Sequence, residues 1–69
     1  MAQFTDFGKS VKKALIDGNR KEAWLIDEIK DRTGLFVDYG YLYKIMTGER
    51  AAARVVDAIN EILDLNQKI

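Results

Sequence analysis

The sequence predicts an all-α fold, a compact bundle of four short helices. Two observations carry this. Apolar residues recur at i, i+3, i+4 spacing in four separate segments, and the first three segments are closed by glycine-containing turns.

In the first segment Phe4, Phe7, Val11, Ala14 and Leu15 keep helical spacing. Thr5 or Asp6 is available as a cap and Asp17-Gly18-Asn19 as the stop, which predicts a helix over roughly 5–17. Its polar side carries Lys9, Lys12 and Lys13, which serve solubility by default or rest against a phosphate backbone. Asn19 reads as the cap of a second helix, about 20–33, built on Ala23, Leu25, Ile26, Ile29 and Thr33 and ended by Gly34. Arg20 and Lys21 fall in its first turn, where cations oppose the helix dipole; an approaching phosphate or tolerance at an exposed end accounts for them. Trp24 is expected to pack partly into the core, with stacking on a base as the sharper alternative.

Gly34-Leu35-Phe36-Val37 reads as an apolar connector whose side chains plug the gap between the second and third helices. The chain is organised around the next stretch, DYGYLYKIMTGER. Asp38 can accept from the unpaired amides of a first turn, Leu42, Ile45 and Met46 bury at i, i+3, i+4 spacing, and Thr47-Gly48 supplies the stop, so a helix is predicted over 38–47. A strand competes, because Leu35, Val37, Tyr39, Tyr41 and Tyr43 alternate with period two and Gly40 costs a helix about 1 kcal/mol relative to alanine. The helix is preferred because cap, apolar triple and stop agree, whereas a strand would put Lys44 and Asp38 on the face of Leu42. The helical wheel leaves Gly40, Tyr43, Lys44 and Thr47 outward with Tyr39 and Tyr41 on the flanks. This aromatic and basic face has no carboxylate and suits a DNA groove. A fourth helix, roughly 51–64, carries the stripe Val55, Val56, Ile59, Ile62 and Leu63. Asp57, Glu61 and Asp64 share its outer face, which is read as solvated, since hard cations want convergent oxygens from loops. The tail NQKI is too short for a second domain, so residues 1–69 form one domain.

At 69 residues the core is only marginally sufficient without help. The absence of cysteine and histidine removes disulfides, Cys/His metal sites and Cys- or Ser-His nucleophiles, so neither an enzyme nor a cofactor is expected. No apolar run is long enough to span a bilayer and MAQFTDFGKS lacks signal-peptide character, which points to the cytoplasm and to no membrane partner. Eleven basic residues balance eleven acidic ones, which argues against a generic polyanion binder. Their distribution is uneven: Lys9, Lys12, Lys13, Arg20 and Lys21 are opposed locally only by Asp17, while Asp57, Glu61 and Asp64 gather around Arg54. A basic and an acidic side follow, or simply two solvated faces.

Two helices joined by a short turn, the later one with a polar aromatic face, form a helix-turn-helix unit inside the bundle. The segment WLIDEIKDRTG...YLYKIMTGER followed by VVDAINEIL resembles the small helix-turn-helix proteins of the Cro/phage-repressor (XRE-type) class, especially short forms from phages and mobile elements of Gram-positive bacteria. The resemblance runs from Val11 to Leu65 and is most specific in YLYKIMTGER, similar to the family's recognition helix and the turn after it. It implies a lambda-repressor-like fold and sequence-specific binding of double-stranded DNA by a small transcriptional regulator. On this resemblance Asp38 caps the recognition helix, Tyr39, Gly40, Tyr43 and Lys44 read bases, and Leu42 and Ile45 are core. Arg20, Lys21, Tyr41, Thr47 and Arg50 would meet the DNA backbone. Two departures stand out: the span from Leu25 to Leu42 is longer than usual, and Tyr39 and Gly40 occupy positions that commonly hold hydrogen-bonding side chains.

Lys44 can donate to guanine O6 and N7, and the tyrosines can donate to phosphate or press on a thymine methyl. With few cations per subunit, a homodimer on a two-fold site or adjacent copies on repeated sites is expected. The rival readings are a protein-binding module using the tyrosine face, with no small-molecule substrate in either case, and an excision-type accessory DNA-binding factor.

Overall fold

The computed structural model describes residues 3–65. Four helices follow one another: α1 Asp6–Asp17, α2 Glu22–Thr33, α3 Tyr39–Met46 and α4 Ala53–Leu63. No strand occurs among the described residues, so the fold is all-α and the period-two alternative for 35–43 gives way to a helix from Tyr39 onward. The tail at 66–69, read above as too short for a second domain, lies outside the described residues.

Local chemistry sets most of the boundaries. The Thr5 hydroxyl oxygen accepts from the Gly8 amide at 3.1 Å and caps α1. The same residue also reaches across the fold, because its hydroxyl and its amide both donate to the Met46 carbonyl at 3.0 Å. An orphan carbonyl at the end of α3 is thereby satisfied. The contact is possible only because residue 8 is glycine: a Cβ there would overlap the Met46 carbonyl oxygen. Asp38 caps α3 by accepting from the Tyr41 amide at 2.8 Å, and Gly34 and Gly48 take the left-handed conformation that ends α2 and α3, with φ of 70° and 83°.

Two starts differ from the expectation. Asn19 does not cap the second helix, which begins at Glu22 with Lys21 in the cap position and no side-chain cap bond. The closing turn of α1 claims these residues instead: the Arg20 amide donates to the Leu15 carbonyl at 2.8 Å, and Asn19 adopts φ 56° to allow it. α4 starts at Ala53 rather than 51, behind Ala52, which has no side-chain acceptor to offer.

The core draws on every helix: Val11 and Leu15 of α1, Leu25, Ile26 and Ile29 of α2, Leu42, Ile45 and Met46 of α3, Val55, Ala58 and Ile59 of α4, and Val37 between helices. α2 lies chiefly against α4, α1 packs against both α3 and α4, and α3 also touches α2. Ala23, expected on the inner side of α2, is exposed. The connector also departs from the expectation. Val37 is buried and Leu35 half-buried, but Phe36 is 76% exposed, so the extended connector alternates in and out rather than plugging the gap throughout.

Candidate nucleic-acid interface

The buried edge of α3 fixes which way its other edge points. Leu42, Ile45 and Met46 are at most 4% exposed, so residues on the opposite side of this eight-residue helix face solvent. Tyr39 is 57% and Tyr43 44% exposed, and Gly40 and Lys44 are exposed with them. The four residues predicted to read bases therefore lie on one outward surface. A Cβ at Gly40 would meet only the Asp38 carboxylate, at 3.6 Å, so the backbone there is open to close approach. Lys44 makes no ion pair among the described residues.

The residues predicted to meet a DNA backbone are more varied. Arg20 and Lys21 are exposed at the junction between α1 and α2, and share with Tyr39 and Ile16 an open cleft of about 350 Å³. This cleft brings the junction beside the N-terminal end of α3. Arg50 is exposed just beyond the other end of α3, where its amide donates to the Lys44 carbonyl at 3.2 Å. Thr47 is half-buried and engaged, its hydroxyl lying 3.2 Å from the Lys44 carbonyl and 3.3 Å from the Glu49 carboxylate. That carboxylate borders the face, so Thr47 reaches a phosphate only if Glu49 turns away. Tyr41 is half-buried, with the Arg50 guanidinium 5.1 Å from its ring centroid.

The lysine cluster of α1 is less available than its sequence suggests. Lys12 pairs with Glu22 at 3.0 Å and lies 5.5 Å from the Phe4 ring, and Lys13 pairs with Asp17 at 3.3 Å. Trp24 is half-buried against the core, with the Arg20 guanidinium 4.1 Å from its ring. The acidic face of α4 is exposed, and Glu61 lies 3.7 Å from Arg32 of α2. No cluster of acidic side chains suited to a metal occurs among the described residues. None of their helices is long and apolar enough to cross a membrane.

One contributor escaped the sequence reading. Phe4, assigned only to the core side of the first helix, stacks edge-on against Tyr43 with centroids 5.7 Å apart, and so borders the outward face of α3. No local pattern announces a contact between residues so far apart in the chain.

No protein-family model, curated protein or solved structure matches the chain.

Proposed function

We propose that this protein binds double-stranded DNA sequence-specifically, as a small transcriptional regulator of phage or mobile-element type. In this reading α2, the connector and α3 act as a helix-turn-helix unit within a lambda-repressor-like bundle. The observation that carries the reading is the outward face of α3, where Tyr39, Gly40, Tyr43 and Lys44 are exposed together over a fully buried inner edge. A helix presented this way fits a major groove about 12 Å wide. Lys44 donates to guanine O6 and N7, the tyrosine rings meet thymine methyls, and Gly40 allows close approach. Arg20, Lys21 and Arg50 neutralise phosphates at the margins. The resemblance of YLYKIMTGER to Cro/repressor recognition helices supports the same assignment. The small number of cations per chain favours two copies acting together on one site.

The test is selection from a random duplex pool across a salt series, followed by sequencing of the retained fraction. An enriched motif and affinity that falls steeply with salt are expected. Lys44→Ala should lose discrimination between sites, while Arg20→Ala should weaken all duplexes alike. If Lys44→Ala kept the parent's preferences, α3 would not be the reader. No retention even at low salt would remove DNA as the partner and leave the tyrosine face to a protein.

A further inference from the structure

Arg20 and Arg50 share an arrangement that no other arginine among the described residues has. Each guanidinium lies against an aromatic ring, Trp24 at 4.1 Å and Tyr41 at 5.1 Å, and neither forms an ion pair among those residues. Lys12 also lies near a ring but is held by Glu22, and Lys30 stands over Phe36, itself 76% exposed and set in the connector. The two arginines are fixed at the backbone as well: the Arg20 amide donates a hydrogen bond to the Leu15 carbonyl and the Arg50 amide to the Lys44 carbonyl. They stand at opposite ends of α3. Arg20 shares the cleft beside Tyr39, and Arg50 follows the turn after Met46 on the Tyr41 side. At 1.5 Å per residue the helix between them is about 12 Å long, comparable to the width of a major groove.

We propose that Trp24 and Tyr41 are positioning residues that hold the Arg20 and Arg50 guanidiniums as two preformed phosphate grips bracketing α3. A guanidinium stacked on a ring keeps its edge N–H groups free, and those are the donors a phosphate uses in a bidentate contact. The ring confines a side chain that would otherwise lose considerable rotamer freedom on binding, so the contact forms at lower entropic cost. A chain with no net charge gains most from such an arrangement, because each cation it commits must count. The role of Tyr41 is then its ring beneath Arg50 rather than a hydroxyl on the backbone.

This inference rests on the DNA-binding reading, and one experiment separates their failures. Phosphate contacts are independent of sequence, so the probe is a labelled pool of random-sequence duplex, titrated by fluorescence anisotropy at several salt concentrations. Trp24→Leu should weaken binding about two- to five-fold without changing the salt slope, because the charge remains and only its placement is lost. Arg20→Ala should lower the slope by about 0.9, and adding Trp24→Leu to it should cost nothing further. Trp24→Phe should restore most of the loss, and thermal melts establish that each variant is folded. Tyr41→Leu, Tyr41→Phe and Arg50→Ala repeat the design at the other end and decide the matter if Trp24→Leu does not fold. Tyr41→Phe, which keeps the ring, should restore most of the loss seen in Tyr41→Leu. Additive losses in the paired variants, or loss on Tyr41→Phe alone, would overturn the grips while leaving DNA binding intact. A parent that binds no duplex at low salt would instead overturn the DNA reading, and the grips with it.

Discussion

Two glycines in helical first turns do opposite things. Gly8 is buried where α1 meets α3, and a Cβ there would overlap the Met46 carbonyl, a backbone atom that cannot move aside as a side chain can. Gly40 lies on the open face of α3. Gly8→Ala should therefore destabilise the fold by about 1–3 kcal/mol or more, by forcing α1 from α3 and stretching both Thr5 bonds to Met46. Gly40→Ala should leave stability unchanged or raise it by up to about 1 kcal/mol, while weakening DNA binding because a methyl now holds the helix away from the groove. Denaturant unfolding of the two variants, with anisotropy on the second, checks both expectations. Equal destabilisation would mean that the outer face of α3 is packed rather than open. At this scale the sequence was half legible. Gly40 could be placed on the outer face from helical spacing alone, whereas the partner of Gly8 is remote in the chain and no spacing rule points to it.

Among the elements, boundaries were readable where one residue decides them and unreadable where two turns compete. Asp38 and Gly34 act within a single turn, so their cap chemistry follows from residue type and position. Asn19, Arg20 and Lys21 belong both to the end of α1 and to the start of α2. The 2.8 Å bond from Arg20 to Leu15 decides for α1, and α2 begins behind a lysine that cannot cap it. The extended connector likewise defeats a reading of all its apolar residues as core, because consecutive side chains point to opposite sides. The lysine start has a consequence. Lys21 has the extended backbone of a cap, φ −100° and ψ 160°, so Lys21→Ser should install the missing side-chain acceptor and stabilise the protein by about 1 kcal/mol. Removing a cation from the positive end of the helix dipole acts in the same direction. If Lys21 meets a phosphate, the same substitution should lower the salt slope of DNA binding by about 0.9. Higher stability with an unchanged slope would leave Lys21 as an uncapped helix start and nothing more.

For the whole molecule, the all-α class and most core positions were legible, because four apolar stripes at helical spacing have few other ways to bury. The charge balance was legible as a sum but not as a surface, since Lys12 and Lys13 are held by Glu22 and Asp17. Those ion pairs leave Arg20, Lys21, Lys44 and Arg50 as the cations around α3 without a carboxylate partner among the described residues. Each phosphate neutralised contributes about −0.9 to the slope of log affinity against log salt, so a single bound copy with Arg20, Lys21 and Arg50 at phosphates and Lys44 at the bases should show a slope of about −3. Two copies on one site should show about −5. Measuring the slope together with the stoichiometry of the complex, by titration above the dissociation constant, tests the interface and the assembly at once. A slope near −5 with two copies per duplex fits a dimer on a two-fold site. A slope steeper than −4 with one copy would require Lys9, Lys30 or Arg54 at the phosphates and redraw the interface away from α3. A slope near zero would mean contacts through the aromatic face without phosphate neutralisation and would overturn the duplex-reading proposal.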